Sequence, residues 1–312
     1  MRSVKHRLHF GFPACGCWPY AYFGGAGIGS DVGLRCCAVL RHGCHLNANA
    51  NAKTSLAAGV VKQFRIIGAM LMRETTTRFG REQLGFLWVI GEPLMFCMGV
   101  ITLWHFLRGP YEHGIRLAPF CMTGYMCLIL LRHMIGMSMG AIQANSGLMH
   151  HRQVTVIHIF IARNLVEYLG STSAFIVVYV VLLAMHQVDL PHNYLLAYAG
   201  WITQGWISFT LAIMFAAFAL KIEVLERVVS LLTYAMIPLS GAFTMAAWVP
   251  ANYRHIYLSV PMPHGVEMLR AGVFGDNIPT YYTAWYPWAC GAIFLLIALI
   301  MLANSKEQIL GD

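Results

Sequence analysis

QANSGLMHHRQVTVIHIFIAR, residues 143–163, is a polar and basic break between two long apolar runs. It holds His150, His151, Arg152, His158 and Arg163. A bilayer core has no water to hydrogen-bond stray polar groups, so such a segment belongs at a membrane face. Its basic character favours the cytoplasmic face. The break is too long for a tight turn, and Val154, Ile157, Phe160 and Ile161 recur at helical spacing. The pattern predicts a short helix at the cytoplasmic surface that a soluble partner could grip. An ordinary connecting loop is the plainer alternative.

Composition supports a membrane setting. The chain is 58% hydrophobic and only 11% charged, and its mean hydropathy is +0.60. Soluble domains carry about 25% charged residues. The formal net charge of +8 then reports positively charged loops and not a nucleic-acid surface, and no nucleic-acid-binding module is visible. Five of the nine cysteines fall in the first 44 residues, and Cys97, Cys121, Cys127 and Cys290 lie in or beside apolar runs. Cys15-x-Cys17 and Cys36-Cys37 lack the spacing of a zinc site, so neither a metal nor a disulfide framework is expected.

Residues 1–55 mix Gly, Cys, His and Arg without periodicity and end near the low-complexity run NANANAK. They are expected to be a disordered extension, for which a mis-assigned start is one explanation. The transmembrane part is expected to be 56–312. From about 60 to 82, Phe64, Ile67, Leu71 and Phe79 alternate with basic residues. That pattern predicts a basic amphipathic helix lying in the headgroup layer.

Six apolar runs follow near 86–107, 117–142, 164–186, 195–220, 228–248 and 285–303, each close to the ~20 residues that cross hydrocarbon. The expectation is an all-α integral membrane protein with six transmembrane helices. Ten basic residues (Lys62, Arg65, Arg73, Arg78, Arg81, Arg152, Arg163, Lys221, Arg227 and Lys306) fall on one side, against Arg108, Arg116, Arg254 and Arg270. That asymmetry puts both termini in the cytoplasm. The polar, Pro-rich and aromatic segment 249–284 fits a re-entrant external element before the last helix.

Several stretches carry a likeness to a known family. They are LMRETTTRFGREQLGFLWVIGEPL (71–94), TGY (123–125), LLR (130–132), AIQAN (141–145), ARNLVE (162–167), SGAF (240–243) and PMPHGVEMLRAGVFG (261–275). In order and spacing they resemble permease subunits of type-two ABC exporters, in the capsular polysaccharide branch. The likeness covers roughly residues 60–305; Val260 and Pro263 depart from its pattern. It implies a half-transporter that pairs with a second copy above two ABC ATPase subunits, which would bind ATP and Mg while this chain binds no cofactor. It implies a lipid-linked, acidic capsular glycan as substrate, periplasmic and outer-membrane export components as further partners, and a bacterial inner-membrane location. It also makes His150, His151, Arg152, Val154, Ile157 and His158 a coupling surface for the ATPase. Independently of the likeness, the chain has no Gly-Lys pair and so no P-loop.

Charges inside the predicted spans are costly unless paired or solvated. Arg132 would lie ~15 Å above the cytoplasmic end of its run, with Glu92 and Glu167 ~9 Å and ~5 Å deep. An Arg132 ion pair with either acid is one reading; a translocation path lined by Arg132, Glu92, Glu167, Tyr125 and Tyr179 is the other. His264, Glu267 and Arg270 recur every third residue on one helix flank. They are read as an outer gate, or more plainly as a solvated face. No nucleophile accompanies them, so no catalytic residue is expected. Two other classes stay open: a membrane-embedded glycosyltransferase or polymerase, and a secondary transporter of polysaccharide precursors.

Overall fold

The computed structural model describes residues 56–79, 83–108, 111–112, 115–145, 147, 154–275 and 278–305. The expected extension over 1–55 lies outside them, as do His150, His151 and Arg152.

The described chain is almost wholly helical. Helix α1 (Leu56–Phe79) leads into α2 (Gln83–Arg108), which carries Pro93 in its interior. A two-residue hairpin, β1 (Tyr111–Glu112) and β2 (Ile115–Arg116), pairs Tyr111 with Arg116 and precedes α3 (Leu117–Ser138). Helix α4 (Val156–Ala184) follows a 3-10 turn at Gln143–Asn145, and α5 is Tyr194–Ala219. Three short helices come next: α6 (Glu223–Ala235), α7 (Ala251–Tyr257) and α8 (Met262–Phe274). Then α9 (Trp285–Asn304) closes the described part.

Among the described residues four helices are long and apolar enough to cross a membrane: α3, α4, α5 and α9. Helix α3 is buried on every side from Leu117 to Leu131, as expected of a helix that is apolar all round. By contrast α4 and α9 leave Leu169, Ile176, Val180, Ile293, Leu296 and Ile300 exposed. In water those faces would be unfavourable; in lipid they are solvated.

Helix α5 is the axis of the packing, with α3, α8 and α9 against it. Its contact with α8 is antiparallel: Gly272 meets Ala197, Gly200 meets Leu269, and Gly265 meets Gln204. A Cβ at any of the three glycines would collide with the facing backbone or, at Gly265, with the Gln204 side chain. Small residues of this kind let helix backbones approach where lipid offers no hydrophobic drive. At one end of the bundle Met70, Ala141, Phe160, Ala216 and Leu302 gather, and at the other Ile115, Phe120 and Met245. These are called below the α1 end and the hairpin end.

Two apolar runs differ from their expected form. The third begins earlier, because Thr155 caps α4: its side chain accepts from the backbone N–H of His158, whose ring accepts the N–H of Thr155 in return. Phe160 and Ile161 therefore belong to the long helix and not to a separate surface helix. The fifth run, 228–248, is not one long helix. Helix α6 stops at Ala235, and irregular backbone runs to Val249. Pro238 has no N–H to continue the ladder, and Gly241 sits at φ +75°, a left-handed conformation that a side chain would strain.

Candidate functional site: two polar clusters in a helical bundle

The first cluster lies on α2, α3 and α4. His133 Nε2 is 3.8 Å from Glu92 Oε2, and its Nδ1 is 3.8 Å from Glu167 Oε2. These separations are too long for hydrogen bonds but short enough for electrostatic coupling in a low dielectric. Glu167 is 3% exposed. Arg132, one residue earlier, stacks its guanidinium 4.4 Å from the Tyr234 ring centroid on α6. Tyr125 stacks on Phe96 with ring centroids 3.7 Å apart, so it too joins α3 to α2. Tyr179 stands apart, near the hairpin end of α4, where its hydroxyl donates to Asp189 O at 2.6 Å.

Helix α3 ends at Ser138, six residues beyond Arg132. Arg132 is therefore ~9 Å from the helix end, shallower than the longer run 117–142 implied. His133 was not singled out from sequence. Its signal was only its place beside Arg132, with two acids on neighbouring runs.

Below this cluster, polar contacts tie α1 to the bundle. Arg163 Nε donates to Glu74 Oε1 at 2.8 Å, and its Nη1 donates to Met137 O at 3.1 Å. Arg73 donates to Asn145 Oδ1 at 3.1 Å. His158 Nδ1 accepts from the Thr155 N–H, so a neutral ring carries its proton on Nε2, facing Gln63 Oε1. Of the coupling residues within the described chain, His158 is buried, Val154 is half-buried and Ile157 is exposed.

The second cluster fills α8. His264, Glu267 and Arg270 are 3%, 1% and 0% exposed, and their partners are mostly backbone groups of irregular segments. Arg270 donates to the carbonyls of Gly241 (2.8 Å), Thr244 (2.9 Å) and Ala242 (2.6 Å), and its guanidinium lies over the Phe120 ring. Glu267 accepts from the N–H groups of Ala246 (3.0 Å) and Tyr281 (3.3 Å). His264 Nδ1 accepts from Thr283 N at 3.0 Å, and so its Nε2 donates to Leu258 O at 2.8 Å. Burial pushes the His264 imidazole below the usual histidine range. Arg254 completes the clasp, donating to Ala246 O at 2.9 Å while its guanidinium covers Tyr281.

Glu267 and Arg270 have thus replaced water with peptide groups, which is how such groups are retained inside a protein. One helix holds the 241–246 and 281–283 segments in register across the hairpin end. Nothing in either cluster is arranged for covalent chemistry, and among the described residues no group of His, Cys, Asp and Glu is placed to hold a metal.

Four helices long and apolar enough to cross a membrane, packed around buried charged side chains, are compatible with a membrane transport subunit. The chain belongs to the ABC-2 type transporter membrane family, whose profile matches residues 65–274. It is 35% identical over 257 residues to the capsule polysaccharide export inner-membrane protein CtrC of Neisseria meningitidis serogroup B, covering 82% of this chain and 97% of that protein. It is 32% identical, with the same coverage, to the capsule polysaccharide export inner-membrane protein BexB of Haemophilus influenzae. To the polysialic acid transport protein KpsM of Escherichia coli it is 25% identical, over 78% of this chain and 95% of that protein.

Proposed function

We propose that this chain is the membrane-spanning subunit of an ATP-driven exporter that carries capsular polysaccharide across the bacterial inner membrane. The observation that carries the reading is the match to capsule export proteins over 97% of their length at about a third identity. The chain has no P-loop of its own, so ATP and Mg belong to a separate ATPase subunit, and the permease itself is not an enzyme.

In this reading six segments cross the bilayer: α2, α3, α4, α5, the broken segment of α6 and its following loop, and α9. Helix α1 lies in the headgroup layer, with Val60, Val61 and Phe64, all exposed, turned to lipid. Segment 249–284 dips back from outside, its irregular backbone held by α8. Both termini are cytoplasmic, on the charge asymmetry of the loops. A second copy completes the path, and the glycan is lipid-linked and acidic.

The ATPase grips His150, His151, Arg152, Val154, Ile157 and His158, and its closure moves α4 directly, because Ile157 and His158 stand in the first turn of that helix. Glu92, Arg132, Glu167, Tyr125 and Tyr179 are the path or its supporting ion pairs. His264, Glu267 and Arg270 hold the outer gate shut by fixing the loops around it.

The test is gentle solubilisation from native membranes followed by mass spectrometry and a glycan export assay in vesicles. An equimolar Walker-motif ATPase should co-purify, be lost when residues 150–158 are replaced, and drive ATP-dependent export of the acidic glycan. A chain that comes out alone, or exports without ATP, sinks the reading.

A further inference from the structure

We infer that α1 is a docking surface for the anionic phospholipids of the leaflet at the α1 end, selected by a row of cations that meets their phosphates. The inference rests on the proposal that α1 lies in the headgroup layer. To that proposal it adds a charge selectivity and a consequence for α4.

Helix α1 has three faces roughly a third of a turn apart, at 3.6 residues per turn. One face meets the bundle. There Gln63 Oε1 contacts His158 Nε2, Met70 packs against the apolar cluster at the α1 end, and Glu74 accepts from Arg163. The second face is the row Phe64, Gly68 and Met72, spaced every four residues. Phe64 and Met72 are 71% and 68% exposed, and a Cβ on Gly68 would meet nothing within 4 Å. The third face carries Lys62, Arg65 and Arg73, all exposed.

Charge decides what covers the two outer faces. Glu74 is the sole acid of α1, and Arg163 matches it at 2.8 Å. Arg73 directs one N–H group to Asn145 Oδ1. Among the described residues Lys62 and Arg65 have no ion-pair partner. Cations flanking an apolar row call for an amphiphile that presents negative heads and hydrocarbon side by side. A leaflet containing anionic phospholipid does so: Phe64 and Met72 enter the acyl boundary, and the long basic side chains reach the phosphates.

Continuity favours lipid over a soluble acidic protein. Helix α1 packs on α4, whose Leu169, Ile176 and Val180 are exposed and solvated by lipid. The bilayer therefore already reaches the helix on which α1 sits. Gln63 and Glu74 fasten α1 to the first two turns of α4. The depth at which anionic lipid holds α1 accordingly sets the depth at which α4 begins.

The test places the full chain carrying Phe64→Trp in vesicles of phosphatidylcholine mixed equally with phosphatidylglycerol, with bromine on the acyl chains of one lipid or the other. Fluorescence quenching is read over that of the chain without the substitution. Brominated phosphatidylglycerol should quench preferentially, by about fivefold for each of Lys62 and Arg65. Lys62→Gln with Arg65→Gln should remove most of that preference while total quenching persists, because the apolar row is intact. High salt should act likewise, and inorganic phosphate should do no more than chloride at matched ionic strength. Equal quenching by the two lipids with Lys62 and Arg65 in place overturns the selectivity but leaves α1 in the headgroup layer. Quenching by neither lipid takes α1 out of the bilayer, and the headgroup proposal then fails with this one. A double variant that keeps the lipid preference but loses a co-purifying ATPase assigns the two cations to that subunit and overturns the site.

Discussion

Arg270 on α8 lies with its guanidinium carbon 4.3 Å from the centroid of Phe120 on α3. The cation is fully buried, and among the described residues three carbonyls of the segment after α6 accept its protons. Gly124, one turn along α3, leaves room for it, since a Cβ there would strike Ala242 O and crowd the guanidinium. The arrangement uses one side chain to hold an irregular strip of backbone against a helix. Arg270→Lys retains the charge but cannot serve three carbonyls in a fork. It is expected to cost about 3–5 kcal/mol, the range for an uncompensated buried charge. Thermal unfolding in detergent checks this, with a loss under 1 kcal/mol counting against the clasp.

The α5–α8 seam depends on small residues at three levels, so its tolerance is directional. Gly272→Leu sets a side chain against the backbone of Ala197 and should cost more than the ~1–3 kcal/mol typical of overpacking, because backbone cannot rotate away. Gly59→Leu on α1, where the added carbon meets nothing within 4 Å, is the control and should be nearly neutral. Size-exclusion yield and melting temperature of the two variants read the contrast.

Acid should loosen the hairpin end through His264. Its buried ring accepts from Thr283 and donates to Leu258, and burial holds its pKa below the ordinary histidine range. The unfolded chain takes up a proton on this ring as pH falls below about 6.5, while the folded one resists. The contribution is therefore present above about 6.5 and is lost as pH falls toward the depressed folded value. Melting temperature should drop more steeply between about pH 7 and pH 5 in wild type than in His264→Gln. Parallel curves would remove His264 from the account.

Helix α1 is predicted to detach in steps. Glu74 and Arg163 are only 18% and 15% exposed on their side chains, so their pair is worth more than a surface ion pair, about 1–2 kcal/mol. Glu74→Gln and Arg163→Gln should each loosen α1, and the double variant should cost less than their sum. Protease sensitivity of residues 56–79 is the readout. Additive effects would mean that the two side chains act independently.

Much of this architecture is visible in side-chain chemistry, because a bilayer turns hydropathy into geometry. The runs at 117–142, 195–220 and 285–303 correspond closely to Leu117–Ser138, Tyr194–Ala219 and Trp285–Asn304. The break in the fifth run was less legible: its residues stay apolar while Pro238 and Gly241 interrupt the backbone. The partners of Arg270, Glu267 and His264 were not legible at all. Carbonyls and N–H groups are common to every residue, so no residue type announces which of them meets a buried charge. His133 was hidden for a related reason, since its two acids come from helices 41 residues before it and 34 after, and only packing brings them together.

Arg132 carries the sharpest test of the cluster on α2, α3 and α4. It stacks on Tyr234 of α6, whereas Glu92 and Glu167 face His133. Removing the cation should therefore cost folding little: a cation–π contact is worth about 0.5–2 kcal/mol, and the neighbouring acids keep His133. Arg132→Gln is expected to reach near-normal yield in the membrane, with a melting temperature a few degrees lower. If export of an acidic glycan falls sharply at that yield, the cation acts on what passes. His133→Gln should behave differently, because it removes the ring that lies between the two acids. It should lower folded yield more than Arg132→Gln does. Equal yields with equal export would show that neither side chain matters to the cluster, while the reverse order of yields would place the structural role on Arg132.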